Sequence, residues 1–219
     1  MADGLRNVLL DLFFPRRCPF CGCIPEEGQL LCGKCENSLP RWEEPPAAEG
    51  LRCAAPLRYE GSVRRAVLRL KFEGRQSGID CFARLMAECA ATWYAGTFDA
   101  VTWVPVSAKR LRQRGYDQAR LLAEALCRLW DTVPTETLCK TVDNPAQSGL
   151  KDPHQRRANV LGVYEITAPA AVAGKRWLLV DDVCTTGATL DECRRMLSEA
   201  GAADVVCLTL ARTPEKERK

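Results

Sequence analysis

Residues Leu178-Leu179-Val180-Asp181-Asp182-Val183-Cys184-Thr185-Thr186-Gly187-Ala188-Thr189 combine an apolar run, two adjacent acids and a Thr/Gly-rich turn. Carboxylates at the C-terminal end of a strand can accept hydrogen bonds from two neighbouring sugar hydroxyls, and their oxygens suit Mg²⁺. The turn that follows offers backbone N–H groups and the hydroxyls of Thr185, Thr186 and Thr189 to a phosphate, at the positive end of a helix predicted from Ala188. Gly187 permits the close backbone approach. The stretch therefore reads as a sugar-phosphate site, although an ordinary strand-to-helix junction with a Thr or Asp cap would share several of its residues. The chain contains no Gly-x-x-x-x-Gly-Lys-Ser/Thr loop and no Gly-x-Gly-x-x-Gly, which argues against an NTPase or a dinucleotide enzyme.

A second chemistry lies near the N-terminus. Cys18-Pro-Phe-Cys21 and Cys32-Gly-Lys-Cys35 are two CxxC pairs separated by ten residues, with Gly22, Gly28 and Gly33 suited to knuckle turns. Four thiolates on two such turns give the closed tetrahedral set of structural Zn²⁺. Cys23 is placed to compete with Cys21, and the pairing favours Cys21. The remaining cysteines of the 13 are scattered through apolar stretches and read as core. Cys184 is the exception, since it sits in the phosphate turn.

A third cluster is cationic. Lys109, Arg110, Arg112 and Arg114 follow the predicted strand Phe98–Val106, at the edge of a parallel sheet where ligands of open α/β folds bind. A loop of that kind suits a pyrophosphate, with bidentate contacts from Arg and a point charge from Lys. The segment Asn144–Asn159 carries Gln147, Lys151, the sole histidine His154, Arg156, Arg157 and Asn159 without apolar period. It reads as a long loop able to fold over an anionic substrate.

The elements that must position these groups follow from periodicity. Leu57–Phe72 reads as a strand and then a basic helix that includes Lys71, and a second helix spans Ile79–Tyr94. A crossover helix follows over Tyr116–Trp130, with strands over Glu136–Val142, Val160–Ile166, Arg176–Asp181 and Asp204–Leu210, and a helix over Ala188–Ala200 stopped by Gly201. The prediction is an α/β fold, a parallel sheet flanked by helices, behind a small four-cysteine zinc ribbon. Residues 1–50 would hold an amphipathic helix (Leu5, Val8, Leu9, Leu12, Phe13), the ribbon and a Pro/Ala-rich linker from Arg41. Residues 51–213 would form the catalytic-type domain and 214–219 a charged tail, with disorder expected only from Thr213 on.

Composition restricts the function classes. A chain of 219 residues, 47% hydrophobic and 27% charged, is long enough for one substantial core and a small module. Its formal charge of +3 is too small to imply nucleic acid by itself, and four zinc-bound thiolates would bring it to about +1. No apolar run is long enough to span a bilayer and no leader pattern is present, so the expected location is cytoplasmic. Cysteine in that compartment points to metal or reduced thiols rather than a disulfide framework.

The Leu178–Thr189 stretch closely resembles the phosphoribosyl-pyrophosphate (PRPP) motif of type I phosphoribosyltransferases. The order of parts along nearly the whole chain is similar to the ComF competence family: apolar helix, four-cysteine ribbon, phosphoribosyltransferase domain. Shared features are Lys71-Phe72, Val104-Pro105-Val106, Arg114-Gly115-Tyr116-Asp117-Gln118-Ala119, Gln147-x-x-Leu150 and Arg156-x-x-Asn159-Val160. This sequence departs from the family in having Asp117 where Asn is frequent, and in retaining only Cys53 of a further cysteine pair, which puts a second metal in doubt.

The resemblance implies that Asp181 and Asp182 hold the ribose hydroxyls and that Thr185, Thr186, Gly187, Ala188 and Thr189 cradle the 5′-phosphate. Lys71, Lys109, Arg110, Arg112 and Arg114 then face the pyrophosphate with Mg²⁺, and Arg114 and Arg156 join the acids as catalytic candidates. It also implies a role in natural transformation, with the acceptor unnamed. Three functions follow: a PRPP-dependent transferase, a module binding single-stranded DNA or a competence helicase, and a PRPP-sensing regulator. The sequence leaves a homo-oligomer open.

Overall fold

The computed structural model describes residues 16–74, 76–143 and 162–214. The apolar helix read over Leu5–Phe13, the loop Asn144–Asn159 with Arg156 and His154, and residues 215–219 lie outside them.

The core of the fold is a parallel sheet in the order β1/β2, β7, β6, β3. Strands β1 (Cys53–Ala54) and β2 (Leu57–Arg58) are successive pieces of one edge, both paired with β7 (Asp204–Arg212). Pro56 separates them, since proline cannot donate to the ladder. Central β6 (Arg176–Cys184) pairs with β7 on one side and β3 (Ala100–Trp103) on the other. Because β6 is covered on both faces, its alternate residues feed two cores: Leu178 and Val180 one, Trp177 and Leu179 the other.

Over the first face pack α2 (Gly61–Phe72), α3 (Ile79–Tyr94) and α5 (Gln118–Leu129), through residues such as Leu70, Met86, Leu122 and Leu126. Over the second lie α6 (Pro169–Val172), through Val172, and α7 (Ala188–Glu199), through Leu190, Cys193 and Leu197. The α3 bounds agree with the periodicity, and α7 starts at the expected Ala188. None of the described helices is long and apolar enough to cross a membrane.

Several expectations are corrected. β6 does not stop at Asp181: Val183 and Cys184 remain paired with Ala211 and Arg212, because β7 itself continues past Leu210. The segments read as strands over Glu136–Val142 and Val160–Ile166 contribute a separate antiparallel pair, β4 (Leu138–Lys140) with β5 (Tyr164–Ile166), off the main sheet. The cationic run is helical, α4 (Ala108–Arg114), capped by the Ser107 hydroxyl, which accepts the Arg110 N–H, and closed by left-handed Gly115. The linker start is docked: the Trp42 N–H bonds the Pro56 carbonyl, and the guanidiniums of Arg58 and Arg212 lie 5.5 and 5.0 Å from its ring centroid. Thr213 is ordered against the sheet, only 9% exposed, with its N–H on the Cys184 carbonyl.

Candidate functional site

Strand alternation sends the two acids to opposite faces of β6. Asp182 points to the α2/α5 side, where its Oδ2 lies 2.8 Å from Lys71 Nζ and 3.4 Å from Gln118 Nε2. Lys71 is the penultimate residue of α2, and Gln118 is the first of α5. Burial works against the Lys71 charge, yet the charge and hydrogen bond of Asp182 outweigh it and raise its pKa. Gln118 is 5% exposed; its amide N–H₂ faces Asp182 and its carbonyl oxygen has no partner among the described residues. Asp181 takes the other side, accepting the Asp182 N–H at 2.7 Å. Burial first, and the Asp182 charge second, push its pKa well above the usual carboxylate range, with Lys71 partly relieving it.

Asp181 also lines a cavity of about 20 Å³ with Thr185, Gly187 and Thr189. The turn there is built around Gly187, whose φ is +83°, and a Cβ at this position would meet Leu51 Cδ2 at 2.4 Å. The left-handed backbone favours glycine here, and any side chain would also have to displace the Leu51 methyl. The Ala188 N–H, first of α7, reaches the Thr186 hydroxyl at 3.4 Å, so the turn and the helix start face one space.

A third wall comes from the chain after β3. Asp117 is buried and caps α5 by accepting the Arg120 N–H, while also accepting the Val106 N–H at 3.0 Å. Its pKa is raised by burial against those bonds. The Tyr116 hydroxyl donates to the Leu70 carbonyl, locking this turn to the end of α2. Arg114 is thereby held with its guanidinium 5.0 Å from the Phe72 ring centroid. Lys109 and Arg110 instead face Asp143, at 3.2 and 4.0 Å, an acid that also accepts from Ser107.

The structure thus gathers Lys71, Asp181, Asp182, Arg114 and the Thr185–Thr189 turn around the C-terminal end of β6. Lys109 and Arg110 sit on a neighbouring carboxylate, and Arg112 is exposed on α4. The residue reading missed Gln118, Asp143 and Lys140. Gln118 stood within a quoted motif; Asp143 and Lys140 had no signal. Lys140, on β4, lies 5.4 Å from the Tyr164 ring centroid, and burial followed by the Arg110 charge lowers its pKa to about 8.

The N-terminal cysteines converge as well. The sulfurs of Cys18, Cys21, Cys32 and Cys35 all lie within 4.8 Å of one another. Cys32 caps α1 (Gly33–Ser38) by accepting the Cys35 N–H, and the Gly22 N–H returns to the Cys18 carbonyl. Four thiol donors without competing carboxylates, three of them buried, fit Zn²⁺. Cys23 is outside that set, although its sulfur is 3.3 Å from that of Cys21. Cys53 does not replace a ligand: it is buried in β1 beside Cys207 and Thr209.

The knuckle is seated in the larger fold. Phe20 meets Phe82 of α3 edge to face at 5.7 Å, Arg69 of α2 donates to the Pro19 and Phe20 carbonyls, and Pro19 packs so closely on Gly78 that a Cβ there would lie 2.7 Å away.

A parallel sheet with helices on both faces and a Thr/Gly turn after two acids defines the class, and the chain belongs to the family described as Phosphoribosyl transferase domain, matched over residues 84–219. A Double zinc ribbon domain is matched over residues 9–67, which supports structural zinc at the four cysteines. The ComF-family resemblance holds in the relatives. The chain is 29% identical to DNA utilization protein YhgH of Escherichia coli O157:H7, over 90% of this chain and 84% of that one. It is 29% identical to Competence protein ComFC of Bacillus subtilis (90% and 78%) and to Competence protein F of Haemophilus influenzae (89% and 85%).

Proposed function

We propose that the chain binds PRPP and transfers its phosphoribosyl group to a nitrogen acceptor, in a role tied to DNA uptake or use. The observation that carries this reading is the convergence of Asp182, clamped by Lys71 and Gln118, with the Gly187 turn at the end of one strand. The turn and the first N–H groups of α7 receive the 5′-phosphate. Asp182 and Asp181, reaching the strand end from its two faces, hold the ribose hydroxyls, and Arg114 faces the pyrophosphate. The charge crowding at Asp181 fits a divalent cation close by, and Mg²⁺ bound with the substrate would help to neutralise the departing pyrophosphate. In the transfer, the ribose C1–O bond breaks with its electron pair going to pyrophosphate, and the acceptor nitrogen forms the new bond to C1 and then loses a proton.

The names of the relatives, one a DNA utilization protein and two competence proteins, support the cellular role. They also favour a second reading, in which the cationic α4 surface binds single-stranded DNA or a competence helicase without turnover, and PRPP, if bound, is sensed.

Calorimetric titration of Mg²⁺ and PRPP, joined to an assay of pyrophosphate release with bases, nucleosides and single-stranded DNA, separates these. Binding with release is the expected result. Binding without release leaves a sensor, and no binding leaves the DNA module. Asp181→Asn combined with Asp182→Asn is expected to abolish PRPP binding while the thermal transition persists; unchanged affinity would remove these acids from the site.

A further inference from the structure

The four-cysteine cluster has one exposed member, and a spare thiol stands beside it. Of the 13 cysteines ten are buried and Cys139 is half-buried, which leaves Cys21 and Cys23 as the two exposed ones. Their sulfurs are 3.3 Å apart. Cys23 is not carried there by a slack loop: its carbonyl accepts the Cys18 N–H at 2.8 Å, and the Gly22 N–H returns to the Cys18 carbonyl at 2.9 Å. Cys23 is thereby tied into the turn that carries Cys18 and Cys21, with left-handed Gly22 bending the chain between the two exposed residues. Cys21 belongs to the tetrahedral set and Cys23 does not. A closed structural zinc site has no use for a fifth sulfur. The Cys32 sulfur is nearly as close to Cys21, at 3.5 Å, but it is a member of the set, so Cys23 is the near neighbour not committed to the metal.

We propose that Cys21 and Cys23 form an oxidation site for small hydroperoxides, where the two sulfurs join in a disulfide and the zinc loses a ligand. A metal-held sulfur is a thiolate, the nucleophilic form, and Cys21 is the exposed one of the four. Its sulfur attacks one peroxide oxygen; the S–O bond forms, the O–O bond breaks, and the departing hydroxide takes a proton from solvent to become water. Cys23 resolves the sulfenic acid: its sulfur forms the S–S bond as the S–O bond breaks, and the second hydroxide leaves as water with the Cys23 proton. Two electrons pass from the sulfurs to the peroxide, which ends as two waters. Cys18, Cys32 and Cys35 remain as a three-sulfur set with one position open, which holds zinc less firmly. The Phe20–Phe82 contact and the Arg69 bonds to Pro19 and Phe20 seat this knuckle on α3 and α2, so loss of the metal loosens that seat. Neither step involves the phosphoribosyl site.

The test treats the zinc-loaded full chain with hydrogen peroxide, follows zinc release to a coloured chelator, and identifies the cysteine products by peptide mass spectrometry. Because Cys23 is exposed and outside the ligand set, Cys23→Ser should bind zinc and melt with the wild type. Peroxide is expected to release zinc from the wild type with a Cys21–Cys23 disulfide as the first product, and a dithiol reductant with added zinc should restore the starting protein. In Cys23→Ser the sulfenic acid on Cys21 has no uncommitted partner and goes on to sulfinic acid, which the reductant does not reverse, so most of the recovery of zinc binding should be lost. Recovery of Cys23→Ser equal to that of the wild type overturns the proposal. So does a wild type that keeps its zinc under peroxide, or a first disulfide that joins Cys21 to Cys18, Cys32 or Cys35. A Cys23→Ser protein that holds no zinc before peroxide is added would make Cys23 a ligand and overturns it equally.

Discussion

The cysteine knuckle and the phosphate turn solve one problem in opposite ways. Each collects groups that repel one another when charged: four thiols on two short turns in the first case, and in the second two adjacent acids at the end of β6, just before the Gly187 turn. In the knuckle all four donors converge on a single point, three of them buried, which is the mark of a closed structural site. At the end of β6 one acid is paired with Lys71 while the other is left crowded beside a cavity that the Gly187 turn also lines. The closed donor set is that of a structural site; the uncompensated acid is where the proposed substrate and its cation would bind. The two regions are coupled, since Arg69 grips the knuckle carbonyls two residues before Lys71 reaches Asp182.

The comparison breaks most visibly at the knuckle. Cys35→Ser, or chelation of the wild type, is expected to release zinc and to remove a metal-binding free energy of about 10 kcal/mol from the folded state. The Phe20–Phe82 contact should then be lost, and α2 should loosen with it. Metal analysis with thermal unfolding checks this; a wild type without zinc, or a variant melting at the wild-type temperature, would show that the cluster is not closed by metal. Gly187→Ala acts at the other region and should cost about 1–3 kcal/mol, from the left-handed backbone and the collision with Leu51. Its larger effect should fall on phosphate affinity, measured by calorimetry with PRPP. Wild-type affinity in this variant would mean that the turn does not hold the phosphate.

The parts of these sites that lie along the chain were readable from sequence, and the parts that lie across it were not. Leu178–Thr189 carries its strand, acids, turn and helix start in one stretch, and the CxxC pairs carry their own turns, so local residue order was sufficient. The Lys71–Asp182 pair spans 111 positions and depends on how α2 lies over the sheet, which no local pattern encodes. The cationic run reads as a loop because its charges hide any apolar period; what makes it α4 is capping, by Ser107 and Gly115. β4 reads as a strand correctly but pairs with β5 rather than with the parallel sheet, because pairing partners follow from tertiary position.

The smallest expected effect sharpens the contrast from the electrostatic side. Lys140 is held at a pKa of about 8 by burial and by Arg110, below the ordinary lysine value, so the empty protein favours its neutral form over a window in which the unfolded chain is still charged. For the protein alone this removes a penalty as pH rises through 8, so stability should rise slightly between about pH 8 and 10.5. A polyanion bound nearby reverses the preference, because it favours the charged amine. PRPP affinity should therefore be greatest below pH 8 and fall as pH rises through it, with a proton taken up on binding, and Lys140→Met should flatten that dependence. Calorimetry at pH 7, 8 and 9 in buffers of different ionisation enthalpy reads the proton directly. A wild-type profile with no uptake near pH 8 would place Lys140 outside the field of the bound anion and confine the charged side of the open site to Lys71 and Arg114.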